Sequence, residues 1–143
     1  MLRRRLLLSA AGCVLLAPAV RATPAEVAAA IKAVIGEAVL RPGKVKLDLP
    51  VMVENGNAVS MTVSVTEPLG PAQRVVSLHV FAQGNPLPNV AHVRFGPRSA
   101  AARFSTRMRL ATSQTVIAVA VLADGSCWSD DVELLVTLAA CLE

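Results

Sequence analysis

The chain has 143 residues, a length that suits one domain. Its 14 basic and 10 acidic residues give a formal charge of +4, but Arg3, Arg4, Arg5 and Arg21 all fall in a leading stretch that reads as an export signal; without them ten bases balance ten acids, and the high pI gives no ground for nucleic-acid binding. Only 3% of residues are aromatic, too few to interleave with basic residues as in single-strand binders, so that class is excluded.

Residues 1–22 open the chain as an export signal. Arg3, Arg4 and Arg5 form its charged region, Leu6 to Val20 its apolar stretch, and Val20-Arg21-Ala22 puts a small residue at the cleavage point. Pro18 and Arg21 interrupt the run of about 20 clean apolar residues that a membrane anchor needs. The Arg-Arg-x-Leu-Leu order from Arg3 to Leu7 is compatible with a twin-arginine signal, an ordinary secretory signal being the alternative. A lipoprotein reading on Cys13 is weaker, because Ala10 stands where a leucine is usual. The mature domain is expected over 23–143, about 120 residues and enough for one core.

Thr23-Pro24-Ala25-Glu26 predicts a helix start, with Thr23 capping, Pro24 in the first turn and Glu26 completing a capping box. Val27, Ile31, Val34 and Ile35 make one apolar stripe before Gly36, so this short helix packs against something larger. Everything after it reads as β. Val45, Leu47 and Leu49 alternate with polar residues, as do Val59, Met61, Val63 and Val65 after the turn Asn55-Gly56-Asn57. Arg74 to Gln83 and Val90 to Phe95 are further strands. In the next, Phe104, Thr106, Met108 and Leu110 face one way and Arg103, Ser105, Arg107 and Arg109 the other. Thr115 to Ala123 is nearly all apolar, so both its faces are expected to be covered. Asp124-Gly125 signals a hairpin into a last strand, Asp131 to Ala140. Short strands at regular spacing predict an all-β, immunoglobulin-like antiparallel sandwich of about seven strands with one N-terminal helix.

Two cysteines outlast the signal, Cys127 and Cys141, and in an oxidising compartment a disulfide is the first expectation. They lie at opposite ends of the last strand, roughly 40 Å apart at about 3.3 Å per residue, whereas a disulfide needs Cα atoms within about 7 Å. Cys127, beside Trp128, reads as a structural or loop cysteine, and Cys141 as an unpaired thiol near the chain end. Three chemistries compete for it. A copper site needs His and Met close by, yet only Leu142 and Glu143 follow, and His79 and His92 sit within predicted strands, where a satisfied core or a solvated face is the simpler role. A cysteine hydrolase needs a base in reach of a rigidly held thiol, and no such motif is present. A carrier, presenting a thiol on a tail to other proteins' active sites, requires mobility instead.

In order and spacing, LDLPVMVENGNAVSMTVSV, the Asn-Pro-x-Pro of FAQGNPLPNVAHVRF, STRMRLATSQTVIAVAVLADG and the terminal cysteine together resemble the SoxY family, the sulfur-carrier subunits of bacterial thiosulfate oxidation. The resemblance implies an immunoglobulin-like sandwich paired with a second small sandwich, a SoxZ-like subunit, in the periplasm. It also implies twin-arginine export and sulfur intermediates held covalently on Cys141 for sulfur-oxidising enzymes to load and unload. The chain would be a carrier and not itself an enzyme, with no metal, cofactor, nucleic acid or membrane span. The family's arm is Gly-Gly-Cys-Gly-Gly; here the arm 139–143 is Ala139, Ala140, Cys141, Leu142 and Glu143, similar to a paralogue group with Ala-Ala-Cys-Ile-Glu. Glu143 and a terminal carboxylate beside the thiol are expected to raise its pKa. The alternative expectation is a non-catalytic binding or structural sandwich whose arm is vestigial.

Overall fold

The computed structural model describes residues 21–66 and 70–137. The arm 139–143, the internal segment 67–69 and most of the expected signal lie outside them. The helix α1 spans Pro24–Ile35, and the Thr23 capping box forms as expected: the Glu26 N–H donates to Thr23 Oγ1 at 3.2 Å and the Thr23 N–H to Glu26 Oε2 at 2.6 Å. Ala22, at the end of the expected signal, is already buried, and its N–H donates to the Asn85 carbonyl at 2.9 Å.

Nine strands follow: β1 (Leu40–Pro42), β2 (Val45–Asp48), β3 (Met52–Val53), β4 (Val59–Val65), β5 (Val75–Ala82), β6 (Asn89–Arg94), β7 (Arg103–Met108), β8 (Gln114–Leu122) and β9 (Cys127–Val136). They form a larger sheet in the order β1-β9-β8-β5-β6, with β3 also on β9, and a smaller sheet β2-β4-β7. The all-β sandwich with one short helix therefore stands. It departs from expectation in two extra strands, β1 and β3, which pair with β9 in parallel while every other ladder is antiparallel. Two or three residues carry no readable period, and parallel pairing with a strand some 80 positions later has no local signature.

Alternation sets the two faces. Val45, Leu47, Val59, Met61 and Val63 of the smaller sheet meet Leu78, Val80, Val116, Ala118 and Ala120 of the larger one in a single core. Thr106 shares the inward parity of Phe104 and Met108 but is exposed, because β7 is an edge strand. The outer face of the larger sheet is apolar where α1 lies on it: Val27 packs with Phe81 and Val119, and Ile31, Val34, Ile35 and Leu40 join them. The near-continuous apolar run of β8 is thus explained by cover on both sides.

Two devices join the sheets. Gly43 (φ 112°) and Lys44 (φ 58°) turn the chain from β1 in one sheet to β2 in the other, a left-handed bend that a β-branched residue would resist. The Leu47 N–H on β2 donates to Asp130 Oδ2 of β9 at 2.8 Å, a charge-assisted strut between the layers. Beside it Trp128 carries the Lys44 ammonium 4.8 Å and the Arg41 guanidinium 6.0 Å from its ring centroid.

Candidate functional site

Cys141 and the other arm residues lie outside the described residues, but the platform that carries them is in view. β9 is held on both edges to its end. On one side it pairs with β8 from Cys127 to Leu134. On the other, β1 pairs with Cys127–Ser129 and β3 with Leu135 and Val136. The Leu135 N–H donates to the Val51 carbonyl at 2.8 Å, the Val136 N–H to Ser113 Oγ at 2.8 Å and the Thr137 N–H to the Val53 carbonyl at 2.9 Å. Backbone order is therefore enforced up to Thr137. Cys141 is four residues further, hence at most about 14 Å from Thr137 whatever path the chain takes.

The segments that carry the sequence resemblance converge on this end of the sandwich. The Leu110 N–H donates to the Gly56 carbonyl at 2.8 Å, and Gly56 also lies against Val136. Asn85, the first residue of Asn-Pro-x-Pro, donates through Nδ2 to the Arg109 carbonyl at 2.8 Å and accepts from the Ala111 N–H at 3.0 Å. Gln114 closes the network: its Nε2 donates to Asn85 Oδ1 and the Thr112 carbonyl, and its Oε1 accepts from the Gly84 N–H at 2.7 Å. Asn85 and Gln114 are both buried with their side-chain polar atoms hydrogen-bonded, so they lock the 84–85 and 109–112 connections into one rigid base. Sequence reasoning missed these anchors, since Ser113 and Thr137 act through bonds spanning 23 and 84 positions.

Cys127 starts β9, is 1% exposed and is free. Burial, and secondarily the Asp124 carboxylate, push its thiol pKa up, so it stays protonated and inert. From Cys127 to Thr137 the strand runs about 30 Å, and Cys141 can return only about 14 Å of that, so the two thiols cannot meet within one chain.

His79 and His92 are cross-strand partners on β5 and β6, their rings stacked 5.8 Å apart, and the Phe81 ring also stacks with His79 at 6.4 Å. His79 Nε2 lies 3.0 Å from Ser77 Oγ, while its Nδ1 is buried without a partner among the described residues. Burial lowers the His79 pKa, helped by the neighbouring His92 and Arg94. The ring is thus a neutral packing element. The unfolded chain protonates near pH 6.5 and the folded chain only at lower pH, so protons favour unfolding and stability falls as pH drops below about 6.5. Between pH 7.5 and 5 the melting temperature of the wild type is expected to fall more steeply than that of His79→Gln; equal slopes would acquit His79.

Among the described residues no group of three His, Cys, Asp or Glu side chains is placed to hold a metal ion. Three surface clefts are lined by arginines, prolines, glycines, apolar residues and the uncharged polar Asn85, Asn89 and Ser99, with no His, Cys, Asp or Glu among their described residues. Nor, among the described residues, is any helix long and apolar enough to cross a membrane.

No curated protein matches the chain by sequence. By structure it is similar to a neelaredoxin-type superoxide reductase from Ignicoccus hospitalis, at 19% identity and a TM-score of 0.55 over 82% of this chain and 95% of that one. It is also similar to a superoxide reductase from Nanoarchaeum equitans, at 11% identity and a TM-score of 0.53 over 67% and 100%. At such identities the likeness is one of fold alone. The sequence profile described as "Sulfur oxidation protein SoxY" matches residues 31–141, from inside α1 to the arm cysteine itself. The chain belongs to the SoxY family of sulfur oxidation proteins.

Proposed function

We propose that this chain is a periplasmic sulfur carrier that holds a sulfur-containing group covalently on Cys141, paired with a SoxZ-like subunit and served by sulfur-oxidising enzymes. The observation that carries this reading is the family match over 31–141, which ends on Cys141. The export-like leading segment 1–22 supports the compartment. The sandwich supports the division of labour: a rigid base bonded up to Thr137 and a buried Cys127 that cannot compete. On this reading catalysis belongs to the enzymes that receive the thiol. The carrier supplies attachment and delivery, which makes the local concentration of the bound group high wherever the arm enters.

Intact-mass spectrometry tests it. Protein purified without reductant from the periplasm of cells oxidising reduced sulfur is expected to carry a mass increment that dithiothreitol removes and that maps to the peptide containing Cys141. An unmodified mass from such cells would count against the carrier.

A further inference from the structure

Five large apolar side chains stand exposed among the described residues: Val39, Val51, Met52, Leu87 and Leu135. Val39 and Leu87 belong to other segments of the chain, and single exposed apolar side chains are ordinary for a protein surface. The other three are gathered by the fold. Met52 and Leu135 are register partners across the parallel β3–β9 ladder and so project to the same side, 59% and 47% exposed. Val51, 69% exposed, adjoins Met52 in the chain at the edge of this ladder, its carbonyl accepting from the Leu135 N–H. Glu54 follows β3, and Glu133 lies two residues before Leu135 on the same face of β9; both are exposed. The one ion pair among the described residues is Lys32–Glu37, so neither carboxylate is neutralised by a described base. An apolar centre with an acidic border thus sits at the root of the arm.

We propose that this patch is the docking platform for the mouth of the enzyme cleft that takes Cys141, a mouth with an apolar lip and basic flanks. This rests on the carrier reading above and adds the surface on which the partner lands. Reach argues for that occupant. Cys141 lies within about 14 Å of Thr137, and Thr137 is bonded to Val53, the residue after Met52. A protein that encloses the thiol must bring its rim to the arm's root, where these side chains stand. The permanent subunit cannot cover the same spot, because it would bar every enzyme from the arm. Size agrees: three side chains suit a transient contact, whereas an obligate interface buries far more. The unpaired carboxylates then steer a basic mouth toward the arm and make association salt-sensitive.

The test uses periplasmic extract from a strain lacking this chain, with thiosulfate as substrate and purified carrier, as its complex with the SoxZ-like subunit, added over a concentration series. Wild type against Cys141→Ala defines the signal; equal rates would defeat the carrier reading, and this proposal with it. Given a signal, Met52→Lys with Leu135→Lys is expected to raise the half-saturating carrier concentration about tenfold or more while leaving the maximal rate within twofold. The paired control Val39→Lys with Leu87→Lys is expected to leave both unchanged. Half-saturation at the wild-type concentration in the patch variant overturns the proposal while the carrier reading stands. Loss of the complex with the SoxZ-like subunit on size-exclusion chromatography also overturns it, assigning the patch to that subunit. A patch variant whose circular dichroism departs from wild type is replaced by Met52→Ser with Leu135→Ser, judged by the same criteria.

Discussion

Cys141→Ala is expected to reduce sulfur oxidation that depends on this chain to the level seen without the chain, while leaving folding and subunit pairing untouched. On the proposed carrier reading the loss is total, because the group would be held by a covalent bond to sulfur and an alanine methyl offers no atom for it. Folding is spared because the described sandwich is bonded before the arm: the last backbone bond described is that of Thr137 to Val53, and every described core side chain lies upstream. The melting temperature is therefore expected within about 2 °C of wild type, as for a substitution away from packed or strained positions. Cys127→Ala makes the opposite pair of changes. It leaves a small cavity at a fully buried site, costing about 1–2 kcal/mol, yet the activity per folded molecule is unchanged. Its thiol cannot stand in for Cys141, being buried and held protonated. The measurements are thiosulfate-dependent turnover in reconstituted extract and thermal melts of both variants. Wild-type turnover from Cys141→Ala would leave a vestigial arm as the better account.

The parts of this molecule that local chemistry dictates were legible in the sequence. Thr23, Pro24 and Glu26 announce α1 because a capping box is closed within four residues. The strands β4, β5, β7 and β8 are each long enough to show a period or an unbroken apolar run. The hairpin at Asp124-Gly125 follows from turn chemistry, and the register of β8 with β9 confirms it. What remained hidden depends on partners far along the chain. Met52-Val53 is two residues long and becomes a strand only because Leu135 and Val136 lie beside it. Asp130 falls just before the expected last strand, Asp131 to Ala140, and its role shows only once Leu47 is seen donating to it from the other sheet. His79 reads as either core or surface, and only its stacked neighbours, with Ser77 on one nitrogen, decide for a neutral buried ring. Of the candidate site, position and family pattern single out Cys141 in the sequence. The anchoring of Val136 by Ser113 and of Thr137 by Val53, and the apolar patch at that end of the last strand, could come only from the assembled sandwich.

Gly56→Ala is expected to be among the most damaging single methyl additions to the described chain, although the turn Asn55-Gly56-Asn57 looks like an ordinary surface loop in the sequence. A Cβ on Gly56 would collide with the backbone carbonyl oxygen of Leu110, with its carbonyl carbon 3.3 Å away and Val136 Cγ2 at 3.7 Å. Relief by a rotamer change is closed off, because the obstacle is main chain. Relief by a loop shift is closed off too. The Leu110 N–H is bonded to the Gly56 carbonyl, the residues on either side of Leu110 are both bonded to Asn85, and the Leu110 side chain is locked in the core. The strain therefore has to be met by breaking bonds in the Asn85–Gln114 network or by opening the sheets, which puts the cost near the top of the overpacking range, about 3 kcal/mol. For a domain of this size that lowers the melting temperature by about 10 °C. Gly96→Ala is the matched control. Nothing lies within 4 Å of its added methyl and its φ is not positive, so it is expected to be neutral or to stabilise by about 0.5 kcal/mol through the unfolded chain. Thermal melts of the two variants against wild type decide the matter, and a Gly56→Ala protein melting within 2 °C of wild type would mean that the base of the arm yields where this geometry says it cannot.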